Sequence, residues 1–195
     1  MDGGCLDAYF NCREIYQEFE AFYLSDKIIE TPREVSFIGG FAEVKNENLA
    51  NYNFVYQCGN SKNHKERHVW YNIAKKNKLI PIKCLSKHAY IHHSAKIGDG
   101  TIIYPGVKIM RNVKVGENVI ILPNTVINHD CIIGDFSIIN SGVVLNGNVE
   151  CGKNNYFGSS VNVREEVKII DNCTIGMNAL ILNSINKPGV YINKI

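Results

Sequence analysis

The segment Asn128-His129-Asp130-Cys131-Ile132-Ile133-Gly134-Asp135-Phe136 sets a base, an acid and a thiol side by side in the chain. Any step in which a nucleophile must shed a proton as it attacks needs a base, and imidazole titrates close enough to neutral pH to take that proton. A neighbouring carboxylate can hold the ring in one tautomer and stabilise the imidazolium as it forms. His129 is therefore the candidate base and Asp130 the candidate orienter. Cys131 offers another route, a covalent intermediate on its sulfur.

A repeat positions these groups. Sixteen consecutive hexads, from the one opening at Ile91 to the one opening at Ile181, carry an apolar residue at position one without an insertion. This period fits neither an α-helix nor a plain strand, but it fits a short strand followed by a corner. Position five is small or β-branched in every hexad except the one holding Asn155. Position four is Gly, Asn or Asp in eleven of sixteen hexads, residues that take positive φ at least cost. Gly98, Gly116, Gly134 and Gly152 recur every eighteen residues at position two. Three hexads then complete one coil of a triangular prism, with coils about 4.8 Å apart as parallel strands, and the array gives five coils and a fraction.

In this frame His129 occupies position three, on an outside corner, where it can face solvent or a neighbouring subunit. Asp130 falls at position four, where turn chemistry alone would also explain it. Cys131 falls at the inward position five, which argues against a nucleophile and for direct attack. Gly147, eighteen residues after His129, sets a bare backbone one coil above the imidazole, where an N–H can stabilise an oxyanion. A plain corner glycine is the competing reading.

The remaining composition excludes several classes. With 21 basic and 19 acidic residues the net charge is +2, which gives no electrostatic footprint for nucleic acid. No apolar run reaches the length of a membrane span, and the first residues lack the plan of a signal peptide, so a cytoplasmic protein is expected. Seven cysteines without a CxxC pair point away from disulfides, and Cys131, Cys151 and Cys173 fall at inward positions where a thiol packs as a small hydrophobe. His64 and His68 stand four apart but lack a third partner, so no metal is expected. Before the array, helical spacing covers residues 11–24, Tyr52–Asn60 reads as a strand, Ser61 caps a helix to Lys78, and Leu79–Cys84 reads as a strand. This pattern predicts a small α/β domain over 1–85, leaning on a prism over 86–195.

The hexads, of the form [LIV]-G-x-x-[STAV]-x, resemble the left-handed β-helix of the hexapeptide acyltransferases. The His-Asp-Cys run followed by Gly134 and Asp135, together with Cys58-Gly59-Asn60 and Ile82–Ile91, is similar to one subfamily, the nucleotide-sugar N-acetyltransferases and sialic acid O-acetyltransferase-like proteins. The resemblance implies a mainly β fold: a left-handed parallel β-helix preceded by a small Rossmann-like α/β domain, truncated at its start. It also implies a homotrimer with sites between subunits, acetyl-CoA as co-substrate, and His129 as catalytic base. By the same resemblance, Asn140, Gly147, Ser159 and Met177 line coenzyme A, Gly3 and Gly4 are the remnant of a phosphate loop, and Asn128 meets the acceptor. Ile138 stands where some relatives carry a second histidine, and the chain's ending lacks the Gly-x-Pro-Ala element of others. The implied acceptor is the amino group of a UDP- or dTDP-linked 4-amino-4,6-dideoxyhexose of the viosamine type. The alternatives are O-acetylation of a sugar or sialic acid, a carbonic-anhydrase-like metalloenzyme, and a trimeric scaffold without catalysis.

Overall fold

The computed structural model describes residues 21–24, 35–39, 53–56, 64 and 67–193. Ahead of the array, β1 (Ala21–Leu24) pairs in parallel with β2 (Val35–Gly39), and β3 (Asn53–Phe54) pairs in parallel with β4 (Ile80–Pro81). The expected helix over 11–24 is therefore corrected at its end: Ala-Phe-Tyr-Leu gains more from ladder partners in β2 than from continued helical spacing. Residues 11–20 lie outside the described residues. The helix expected from Ser61 is described as α1 (Arg67–Lys76). It ends where Lys78 turns to φ 65 and the Leu79 N–H returns to the Ala74 carbonyl at 3.2 Å, and Lys75 and Lys76 face the negative end of its dipole.

From Cys84 onward the chain is a parallel solenoid of two- and three-residue rungs. One sheet stacks seven rungs from Cys84–Leu85 to Gly189–Tyr191, a second stacks six from Tyr90–Ile91 to Leu180–Ile181, and a third stacks five from Lys96–Ile97 to Lys168–Ile169. Register runs in steps of eighteen residues, as in Ile97↔Val115↔Ile133↔Cys151. The coils number about six, because rungs at Cys84–Leu85 and Gly189–Tyr191 extend the stack past the hexads counted in the sequence. From Ile103 to Ile181 every position-one residue is buried, each such isoleucine contributing about 1.5–3 kcal/mol over exposure.

Position four carries the corners. All eleven Gly, Asn and Asp residues predicted there have φ between 48° and 74°, and Phe136, Ser160 and Glu166 adopt the same conformation at 60–62°. For Phe136 packing offsets the strain, since its ring meets Tyr71 edge-on at 5.5 Å and His68 at 6.1 Å. Position two explains the eighteen-residue glycine spacing: a Cβ on Gly134 would fall inside contact distance of the Gly152 backbone one coil above. Asn155, the exception at position five, is fully buried but satisfied. Its Nδ2 donates to the Gly152 carbonyl at 3.1 Å, and its Oδ1 accepts the Cys173 N–H at 2.7 Å.

The prism has three corners. Helix α1 docks on the one between the five- and seven-rung sheets. There Arg67 donates to the Asn118 carbonyl and Oδ1 at 2.7 and 2.8 Å, and Tyr71 lies against Gly100 and donates to the Asp99 carbonyl at 3.3 Å. His64 and His68 turn their rings toward Tyr156 and Phe136 on the same side. Cys131, Cys151 and Cys173 are free and buried, whereas Cys84 is disulfide-bonded, against the expectation from cysteine spacing. Among the described residues no helix is long and apolar enough to cross a membrane.

Candidate functional site

His129 and Asp130 form the corner between the rung Val126–Ile127 of the six-rung sheet and Ile132–Ile133 of the five-rung sheet, away from α1. Asp130 takes the corner conformation at φ 61, which swings its carboxylate back beside its own neighbour. Its Oδ2 lies 2.9 Å from Nδ1 of His129. The imidazole, about half exposed, is thus tied at one nitrogen only, and Nε2 bonds to no described residue. With Nδ1–H donating to the carboxylate, Nε2 carries the lone pair a base needs.

Asp130 in turn is held from one coil below, where Asn112 donates Nδ2–H to Oδ1 at 2.9 Å and the Arg111 guanidinium stands 3.6 Å from Oδ2. The Asn112 bond foremost, then the His129 bond, with the Arg111 charge behind them, hold the Asp130 carboxyl below the usual carboxylate range. The carboxylate thus stays charged to lower pH than an ordinary one. The stability it contributes is present above the unfolded-state pKa and is lost as pH drops through the lower folded one. Sequence reading missed Arg111 and Asn112, although the signal was there: they precede His129 and Asp130 by one eighteen-residue coil.

Gly147 lies directly over the imidazole. A Cβ at Gly147 would sit 2.6 Å from Cε1, 2.7 Å from Nε2 and 3.2 Å from Nδ1 of His129, so the bare backbone is what lets the ring rest in place. We expect Gly147→Ala to rotate the ring, which is a side chain and can yield, and to lower turnover by about 10²-fold with little change in Tm. Steady-state rates and a melting curve on the same preparation check this, and an unchanged rate would contradict it.

The third-position N–H groups add donors. On the α1 corner those of Glu117 and Lys153 are taken by the carboxylates of Asp135 and Asp171 at 2.9 and 2.7 Å. The N–H groups of Gly147 and Ser159 donate to no described group. Asp135, the acidic residue of the motif, therefore serves the α1 corner, also pairing with Lys153 at 2.8 Å, and does not reach His129.

The other predicted residues divide. Asn128 is half-buried on the His129 corner and donates Nδ2–H to the Leu145 carbonyl at 3.2 Å, one coil above. Asn140, Ser159 and Met177 lie on the third corner, between the seven- and six-rung sheets, where Asn140 donates Nδ2–H to the Phe157 carbonyl at 2.6 Å and Met177 is exposed. Within one chain the structure joins Gly147 and Asn128 to His129 and sets Asn140, Ser159 and Met177 apart. Gly3 and Gly4 lie outside the described residues. Cys131 is fully buried, directs its thiol to the Asn146 carbonyl at 3.0 Å, and is pushed up to about 11 by burial, all of which hold it protonated and inert. Among the described residues no group of three or more His, Cys, Asp or Glu side chains is placed to hold a metal ion. His92 and His93 stack on each other at 4.1 Å, two coils below His129.

Residues 112–147 match the family described as Bacterial transferase hexapeptide (six repeats). No curated protein sequence matches the chain. Among solved structures, the acetyltransferase domain of PglB from Neisseria gonorrhoeae FA1090 shares 19% identity, with 98% of this chain and 92% of that one covered and a TM-score of 0.87. The same domain in complex with acetyl coenzyme A gives 0.89. PerB from Caulobacter crescentus in complex with CoA and GDP-perosamine aligns at 18% identity and TM-score 0.88, covering 97% and 89% of the two chains. WeeI from Acinetobacter baumannii AYE aligns at 18% identity and TM-score 0.81, covering 97% and 90%. The chain carries the bacterial transferase hexapeptide repeat and has the fold of these proteins.

Proposed function

We propose that this protein is an acetyl-CoA-dependent N-acetyltransferase acting on the amino group of a nucleotide-linked amino sugar. The observation that carries the reading is the His129 ring, fixed at Nδ1 by Asp130 and resting with Nε2 over the bare backbone of Gly147. Fold likeness to the PglB domain that binds acetyl coenzyme A and to PerB with its GDP-perosamine supports the donor and the acceptor class. The amine attacks the thioester carbonyl as Nε2 takes its proton, and the Gly147 N–H stabilises the oxyanion. Collapse of the tetrahedral intermediate breaks the C–S bond, and the imidazolium returns the proton to the departing thiolate. Asp130 stays ionised throughout.

The coils wind left-handedly in this reading, and three copies associate so that the His129 corner of one subunit faces the Asn140–Ser159–Met177 corner of the next. That arrangement accounts for the division of the expected coenzyme A residues between two corners of one chain. Residues 1–85, with Gly3 and Gly4, hold the nucleotide, Asn128 meets the sugar, and the protein works in the cytoplasm.

The test is thiol release from acetyl-CoA with UDP-, dTDP- and GDP-linked 4-amino sugars, followed by product analysis. Gain of one acetyl group as a hydroxylamine-resistant amide is the expected result. A hydroxylamine-labile ester would move the assignment to O-acetylation, and silence on every acceptor would overturn acyl transfer.

A further inference from the structure

The bonds below the catalytic pair reach further than the pair itself. Ser94 Oγ accepts the Asn112 main-chain N–H at 2.9 Å, Asn112 Nδ2 donates to Asp130 Oδ1 at 2.9 Å, and Asp130 Oδ2 meets His129 Nδ1 at 2.9 Å. One line of hydrogen bonds thus crosses three coils and ends on the imidazole. Asp130 is attached to Asn112 by the oxygen that His129 does not use, so the amide decides which way the carboxylate faces. Among the described residues, the charged and titratable groups near Asp130 are His129 and the inward Cys131 beside it in the chain and Arg111 below it.

We propose that Asn112 is a positioning residue, which locks the Asp130 carboxylate so that His129 keeps its proton on Nδ1 and presents Nε2 to the acceptor amine. The proposal rests on the acyltransferase reading for its kinetic consequence but not for its structural one. Asn112 sits at a position-four corner with φ 59, where asparagine is also a good turn residue, and the two roles are separable. Glycine keeps the turn and removes the amide. Asn148, in the same column one coil above Asp130 with φ 60, is exposed and supplies the matched control.

The experiment compares the full-length parent, Asn112→Gly, Asn112→Asp and Asn148→Gly by two readouts. The first, which needs no substrate, is the tautomer of His129 read from ¹⁵N-labelled imidazole by NMR, assigned by loss of its signals in His129→Gln. The parent and Asn148→Gly are expected to hold the Nδ1–H form, and Asn112→Gly to relax toward the Nε2–H form that an unconstrained histidine side chain prefers. The second is kcat on the acceptor found above, expected to fall about tenfold in Asn112→Gly with KM for acetyl-CoA unchanged. In Asn112→Asp, facing carboxylates should move the acid limb of the rate profile to higher pH. Unchanged ring signals in Asn112→Gly overturn the proposal, as does an equal loss of rate in Asn148→Gly. A parent without acetyl transfer, but with the tautomer shift intact, would fault the functional reading and leave the positioning role standing.

Discussion

His129→Ala is expected to lower kcat by about 10²–10⁴-fold while the KM for acetyl-CoA and the melting temperature stay near those of the parent. The separation follows from where the ring sits. Its one side-chain bond is to Asp130, about half of it is exposed, and its removal leaves the buried ladder of position-one side chains untouched. The Asn148 N–H bond to residue 129 uses the main-chain carbonyl, which alanine keeps. A loss of Tm matching the loss of rate would mean that the imidazole is a structural element of the corner and not the base.

Asp130→Asn should cost a comparable factor for a different reason. Asparagine tolerates the φ 61 corner, so the backbone is preserved. Asn112 still presents its amide donor to the former Oδ1 position, which favours an amide oxygen there and turns the new NH₂ toward His129. The ring must then accept at Nδ1 and carry its proton on Nε2, where the acceptor amine needs a lone pair. The wrong tautomer predicts a fall in kcat of about 10²–10⁴-fold that raising the pH does not rescue. Rates of Asp130→Asn measured across the pH range check it. Recovery at high pH would show that the carboxylate's charge, and not its control of the tautomer, is what matters.

The repeat was legible because every coil obeys the same two demands, an apolar inward anchor and a corner residue that tolerates positive φ. Two residues that broke the pattern did so for tertiary reasons. Asn155 is tolerated inside because the neighbouring coils supply partners for its amide, and Phe136 takes a left-handed corner because α1 lays aromatic rings against it. The ends of the array were harder to read, since Cys84–Leu85 and Gly189–Tyr191 join the stack without a full hexad. Ahead of the array, Ala21–Leu24 has helical spacing but finds a parallel partner in Val35–Gly39, a contact no local window contains.

The site shows the same division. His129 and Asp130 were readable from adjacent residue types, and Gly147 from the eighteen-residue step that puts it over the ring. Asn112 and Arg111 required the opposite step, to the coil below, and each has an ordinary explanation as a turn residue or a solvated charge until the coils are stacked. The separation of Asn140, Ser159 and Met177 from His129 follows from counting hexads: they belong to the next corner of the triangle.

The central claim is that His129 Nε2 accepts the acceptor's proton during acetyl transfer, and the most direct measurement is single-turnover thiol release with saturating acetyl-CoA and amino sugar, parent against His129→Gln. Rapid release in the parent, and a rate lower by about 10²-fold or more in the variant with acetyl-CoA binding intact, is the predicted result. Equal single-turnover rates would contradict the account.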